Sequence, residues 1–402
     1  MDRALSDVLV LDFSHLLQGP FATQLLGDMG AEVIKIERVG VGDMFRSMTF
    51  FAKWVGGSES PNFLAWNRNK RSIALNLKSP KVHSIIMEMA KKADVVIQNF
   101  RPGVLTRLGY GYEDFKAVNP RIIYCSGSGY GEEGPYVDRP GQDMLIQGLA
   151  GLIANTGRGD QAPVPAGAGL ADQIGAMNMV YGILSALYYR EKTGKGQKIE
   201  VNLLAGMIAH LAQEYVAVLN LGEDFVRPNS GIGHPGIQAP FGIYETKGGD
   251  YISIAMSPFK TLYDALDAPT LAVYDNFNVL FDKRDEVWEK VNCETRKFDS
   301  DVLLERLLAA GVWCAPVKDF RTAAVDPQVV HMGMITSYEH PKAGTVRIVA
   351  PAVKMSETPP GVYRPAPLVG EHGREILSRF GVSADEIAAL EAAGDMTVAE
   401  AK

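Results

Sequence analysis

The chain has 402 residues, 47% hydrophobic and 22% charged, a composition that excludes disordered, collagen-like and membrane-embedded classes. Its formal charge of −7 argues against wholesale nucleic-acid binding, and its length allows a large core and suggests two or three domains, or one large domain with a smaller one inserted. Cys125, Cys293 and Cys314 are far apart and lack CxxC spacing, and the seven histidines show no ligand spacing, so a reducing compartment and no metal site are expected.

The start, "MDRALSDVLVLDF", resembles neither a signal nor a transit peptide, and a cytoplasmic protein with no membrane association is expected. "DVLVLDF" reads as a buried strand. "GPFATQLLGDMGA" follows as a helix with Pro20 in its first turn and an end near Gly30. "EVIKIE" is a strand, and "SPKVHSIIMEMAKKA" is a helix with Ser79 as cap and Pro80 at its first position. "DVVIQNF" and "RIIYCSGSGY" are further strands. The Asp172 helix runs to about Gly194, and "QKIEVNLL" is one more extended segment. Strands alternating with helices predict a parallel α/β sheet. The middle of the chain reads differently, with "GIYETKGGDYISIAM" as a hairpin and "SDVLLERLLAAGV" as a helix. The expected organisation is a large Rossmann-like domain of residues 1–217 and 332–402. A small α+β domain of 225–325 is inserted through linkers at about 218–224 and 326–331.

In a parallel sheet, ligands lie beyond the carboxyl ends of the strands. That rule singles out His15 to Gln18, Arg38, Asn99 with Phe100, and Gly127 to Gly131. "GYGEEG" matches GxGxxG in form, but its two glutamates would face a pyrophosphate and no helix follows, so it reads as a loop whose backbone approaches something closely. Arg38, Lys78 and Arg107 suit phosphates, although on these residues alone three solvated surface charges are the favoured reading. Asp172 precedes a long apolar run and reads first as a helix N-cap, and Asp143 invites the same reading.

Longer stretches carry a resemblance. "GPFATQLLGDMGAEVIKIER", "NRNKRSIALNLKSP", "ADVVIQNFRPGVLTRLG", "SGYGEEGP", "ADQIGAMNMVYGILSALYYREKTGKGQ", "DPQVVHMGM" and "GEHGREIL" together resemble the class III CoA-transferases of the CaiB/BaiF type. The resemblance implies a homodimer of two interlocked chains, with CoA on the large domain and the active site at the interface. It implies acyl-CoA and a carboxylic acid as substrates, with no permanently bound cofactor. It places a catalytic nucleophile on Asp172, with Asp143 and Gln18 as auxiliary groups. CoA contacts fall on His15, Leu17, Arg38, Leu75, Lys78, Asn99, Phe100 and Arg107.

Departures bear on the substrate. Leu17 stands where formyl-CoA transferase has a glutamine, and "AMSPFKTLYDAL" lacks that enzyme's glycine-rich lid. Gln142 and about Ser257 stand where the family's racemases have their histidine and glutamate. The implied reaction moves CoA from a thioester, such as succinyl-CoA, to a free acid through a mixed anhydride and an aspartyl-CoA thioester. The alternatives are epimerisation of a 2-methylacyl-CoA and simple acyl-CoA binding. In this scheme the helix dipole is expected to keep Asp172 ionised at neutral pH.

Overall fold

The computed structural model describes residues 3–399. The chain forms two compact units. One comprises the chain up to Ile146, Gly169–Ala209 and Pro327 onward, and the other comprises Gln147–Ala168 and His210–Asp326.

In the first unit, β1 (Leu9–Asp12), β2 (Glu32–Glu37), β3 (Lys70–Leu75), β4 (Val95–Gln98), β5 (Ile123–Ser128) and β6 (Lys198–Asn202) run parallel in the order β3-β2-β1-β4-β5-β6. Met396–Thr397 adds a short antiparallel edge on β3. This is a doubly wound α/β sheet, whose strand order reverses between β1 and β4. The sequence reading missed β3, because "KRS" at its start looks solvated. Lys70 is in fact wholly buried and paired with Asp12.

Alternation along the strands builds two cores. Leu9, Leu11 and Phe13 pack on one face with Ile34, Ile36 and Ile73. That face is covered by α2 (Pro80–Ala90) and by the helices Gly373–Arg379 and Ala384–Ala392. Val10, Val33, Val95, Ile97 and Ile123 point the other way. They meet α1 (Gln18–Asp28) and the long helix α4 (Leu170–Thr193), which follows α3 (Asp143–Leu149) in the chain. Pro80 opens α2, but the Ser79 hydroxyl does not cap it and donates instead to Asp395 Oδ2 at 2.6 Å. Gly194 ends α4 in the left-handed region, φ 73°. Gly127 near the end of β5 lets the Met179 side chain of α4 pack close, since a Cβ there would stand 2.3 Å from Met179 Cε and that methyl would have to shift.

The second unit is α+β. β7 (Gly242–Glu245) and β8 (Tyr251–Ile254) form a hairpin, and β9 (Cys314–Pro316) pairs antiparallel with β8. Tyr244, Ile252, Leu262, Val287, Val291, Leu303 and Leu307 form its core. The segment Gln147–Ala168 belongs here, although the sequence reading placed it in the large domain. The Gln147 amide donates to Ala168 O and accepts from Ala166 N, and Arg227 donates to the carbonyls of Thr156, Arg158 and Gln161. Among the described residues no single helix is long and apolar enough to cross a membrane.

Candidate active site

The reversal of strand order leaves a crevice between the loops after β1 and β4. Asn99 joins these loops. Its Oδ1 accepts from His15 N at 2.8 Å, and its Nδ2 donates to His15 O at 2.8 Å. Above them lies a cavity of about 860 Å³, within the range of cofactor-sized sites. Its walls bring together His15, Arg38, Leu75, Lys78, Asn99 and Phe100, all singled out from the sequence. Arg107 does not line it; its guanidinium lies 2.9 Å from where a Cβ on Gly103 would stand. The cation found on the wall instead is Arg101, which directly follows Phe100 and was missed.

A buried charge network supports this end of the sheet. Lys35 of β2 pairs with Asp43 at 2.8 Å and donates to Ser14 O at 2.8 Å. Asp43 Oδ1 accepts from Leu16 N and Phe45 N, holding Leu16 at φ 66°. Lys70 of β3 pairs with Asp12 at 3.1 Å and donates to Pro20 O and Asn67 Oδ1. Glu37 accepts from Arg46, Asp43 N and the Ser72 hydroxyl. Burial raises the Asp12 carboxyl, but Lys70 and Lys35 more than offset it and hold it below the usual carboxylate range. Burial lowers Lys70 to about 8 despite Asp12. Burial, reinforced by Lys35, lowers the His15 imidazole against the pull of Asp43, so it is neutral at neutral pH. Charged residues inside strands covered on both faces require buried partners, but which residues pair depends on the sheet order, which local pattern does not give.

Neither Asp143 nor Asp172 is among the residues that line this cavity, nor are Leu17 and Gln18; the chain leads from its wall to the two acids. Gly141, two residues before Asp143, forms part of the cavity wall. It packs so closely on Gly129 of the "GYGEEG" loop that a Cβ on either would stand 2.4 Å from the other's Cα. The loop is therefore a backbone-contact device, as its sequence implies.

The N-cap reading of Asp172 is overturned. The cap of α4 is Gly169, and Asp172 sits in the first helical turn. Asp143 is likewise the first residue of α3, not its cap, and its Oδ1 accepts from Asp172 N at 3.1 Å. One carboxylate thus satisfies an orphan donor of the other acid's helix. Leu17 closes the same corner, its Cδ1 lying 3.3 Å from the Cβ position of Gly169. The expectation that the helix terminus keeps Asp172 ionised also fails. Burial, reinforced by the charge of Asp143, raises Asp172 to about 7. A half-titrated carboxyl at neutral pH is an unusual, chemically poised group.

Gln18 is buried between Gly127 and Gly175, one turn along α4 from Asp172. Its Nε2 has no hydrogen-bond partner among the described residues. An unpaired buried donor costs about 1–3 kcal/mol, which invites an explanation in function.

The sequence profile of CoA-transferase family III matches residues 5–373. The human protein named succinyl-CoA:glutarate CoA-transferase is 36% identical over 93% of this chain and 85% of its own length. Acetyl-CoA:oxalate CoA-transferase of Acetobacter aceti is 36% identical over 93% of this chain and 95% of its own. The crystal structure of a CaiB/BaiF family protein from Brucella suis superposes with a TM-score of 0.82 at 30% identity. It covers 94% of this chain and all of that one. The doubly wound sheet, the cavity at its switch point and these likenesses agree: the chain belongs to CoA-transferase family III.

Proposed function

We propose that the protein moves CoA from an acyl-CoA thioester, a dicarboxylyl-CoA such as succinyl-CoA, to a free carboxylic acid, with Asp172 as nucleophile. The observation that carries this reading is the poised Asp172 carboxyl, set against Asp143, which follows by two residues a glycine on the wall of a cavity that carries Arg38, Lys78 and Arg101. The name of the human relative supports a dicarboxylyl-CoA donor, that of the Acetobacter aceti relative names acetyl-CoA instead, and both support a carboxylic acid as acceptor. A matrix of acyl-CoA donors against carboxylic acids, read by mass spectrometry, tests it. New thioesters that appear only when both partners are present are expected. Solvent deuterium entering the α-carbon of a 2-methylacyl-CoA without an acceptor acid would instead mark a racemase.

The chemistry needs no net proton. An Asp172 carboxylate oxygen attacks the donor carbonyl, the C–S bond breaks and CoA thiolate leaves with the electron pair, giving a mixed anhydride. The thiolate then attacks the aspartyl carbonyl and expels the donor acid, giving an aspartyl-CoA thioester. The acceptor carboxylate attacks that thioester to form a second anhydride, and the released thiolate attacks the acceptor's carbonyl, restoring Asp172. Partial desolvation leaves the ionised Asp172 more nucleophilic than a carboxylate in water. The free Gln18 Nε2 supplies a donor for an oxyanion formed along this path.

Arg38 and Lys78 hold the CoA phosphates, and Arg107 supports the Arg101–Gly103 turn beside them. His15, Leu17, Leu75, Asn99 and Phe100 shape the rest of the CoA site. Arg38→Met or Lys78→Met is expected to raise KM for the acyl-CoA about tenfold or more, with a smaller change in kcat, as loss of a charge-assisted contact far from the reacting atoms requires. Initial rates against donor concentration check this.

Since Asp172 must be ionised to attack, kcat/KM is expected to rise with pH to a plateau above about 7. Asp143→Asn keeps an oxygen for Asp172 N–H but removes the repelling charge, so the midpoint shifts to lower pH. A pH–rate profile of both proteins measures it.

The homodimer is proposed to be interlocked. In support, α4 buries Met179 and Ile183 in the core yet leaves Met177, Tyr181 and Tyr188 more than half exposed on another face. A helix apolar on both faces is built to be covered on both.

A further inference from the structure

A second cavity, of about 270 Å³, lies at the amino ends of β2 and β3. It plays no part in the chemistry above. Four arginines, Arg3, Arg71, Arg364 and Arg379, line it, against one carboxylate, Glu32, among the described lining residues. Such an excess of positive charge is notable in a chain of net charge −7. Glu32 is already shared, pairing with Arg71 at 3.4 Å and with Arg379. Arg71 also reaches Glu375 at 3.0 Å. Arg3 lies over the Tyr363 ring, 3.4 Å from its centroid.

Arg364 differs from the ion-paired Arg71 and Arg379. Its backbone N–H donates to Asn69 Oδ1, but its half-buried guanidinium has no hydrogen bond or ion pair among the described residues. Burial and the neighbouring charge of Arg71 push it below its ordinary value, while Glu375, Glu32 and Glu371 attract it only from beyond ion-pair distance. A guanidinium presents a planar fork of donors matched to carboxylate and phosphate oxygens, so a half-buried one with no protein partner can accept such an anion.

The wall that carries Arg364 is held firmly. Asn69 stands at φ 63°, a conformation rare outside glycine. Its Oδ1 accepts from Tyr363 N at 2.7 Å and Arg364 N at 3.0 Å. Its Nδ2 donates to Asp28 Oδ1 at 2.8 Å and Gly361 O at 2.7 Å. Four bonds from one residue outweigh its strained backbone and fix the approach of the Tyr363–Arg364 segment to β3. Gly30, at φ 105°, leaves room for the Arg3 side chain, which a Cβ there would meet at 2.4 Å.

We propose that this cavity is a binding site for a compact multivalent oxyanion, such as pyrophosphate or a small polycarboxylate. Its volume is too small for a CoA-sized ligand. Glu32 and Glu37 occupy the two ends of β2, so at about 3.3 Å per residue this site lies some 16 Å from the candidate active site. The occupant bridges Arg364 and Arg379 and relieves the repulsion between Arg364 and Arg71.

Calorimetric titration of the full chain at low ionic strength tests this, with pyrophosphate, citrate and glutarate as separate arms. The background is Arg38→Met/Lys78→Met/Arg101→Met, which removes the three cations described on the wall of the first cavity. The site therefore stands or falls independently of CoA transfer. One bound pyrophosphate or citrate per chain is expected, with glutarate weaker, and the tighter of the first two identifies the source of the anion. Arg364→Met is expected to weaken it at least about tenfold, and Arg364→Lys less, as loss of a charge-assisted hydrogen bond implies. Arg379→Met at the rim gives a second variant should Arg364→Met unfold, and it too is expected to weaken the anion. The proposal is overturned if no anion saturates the background protein below about 10 mM, far weaker than a built site of this charge should bind. It is equally overturned if Arg364→Met and Arg379→Met leave affinity within about twofold. It also fails if they change only the sedimentation of the protein, which would make the cavity a contact between copies of the chain.

Discussion

Asp172→Asn is expected to lower kcat for CoA transfer by about 10⁴-fold or more, the scale of losing a covalent nucleophile. Acyl-CoA binding should persist, because the cavity walls carry that task. The same substitution should stabilise the fold. Asp172 titrates at about 7 in the folded chain, above its unfolded value of 3.8. Ionising it therefore opposes folding. The stability associated with its protonated form is fully present below the unfolded value and is lost as pH rises through about 7. Asparagine is never ionised, so the gain should be small near pH 4 and on the order of 2–4 kcal/mol near pH 8, allowing for partial exposure. Thermal unfolding at both pH values checks the sign. Greater stability with lost activity distinguishes a functional carboxylate from a structural one.

Lys70→Met is expected to cost about 3–5 kcal/mol, because it strands Asp12 as a buried charge beneath the first loop of the site. Asp12→Asn should also destabilise, while the double substitution should cost less than the two together, since no charge is then left without its partner. Shifts in unfolding midpoint across this cycle measure the coupling. The Pro20 carbonyl and Asn67 side chain also depend on the Lys70 ammonium, so the double variant remains less stable than the native protein.

Much of this architecture was legible in the residues. Continuous apolar runs in "DVLVLDF" and "DVVIQNF" place strands with two buried faces, and Pro80 and Gly194 mark helix ends that the structure keeps. The rule that ligands lie beyond strand ends gathered His15, Arg38, Asn99 and Phe100, which share one cavity. The charge network escaped that reading. Lys35, Lys70 and Asp12 look solvated until the sheet order sets them side by side, and pairing across strands is invisible to local pattern. Arg101 escaped for a related reason, since which side chain of a loop faces a cavity depends on the turn. Asp172 reads as a cap because the apolar run follows it, whereas the helix starts earlier, with Gly169 as its cap and Asp172 three residues on. Its titration depends on Asp143, which lies 29 residues away and meets it only in the folded chain.

The central claim is that CoA becomes covalently attached to Asp172 during transfer. Incubation with succinyl-CoA, trapping with hydroxylamine and peptide mass spectrometry measure it directly. The modification is predicted on the peptide containing Asp172 and is absent from Asp172→Asn. Trapping on another residue, or sustained transfer by Asp172→Asn, would contradict it.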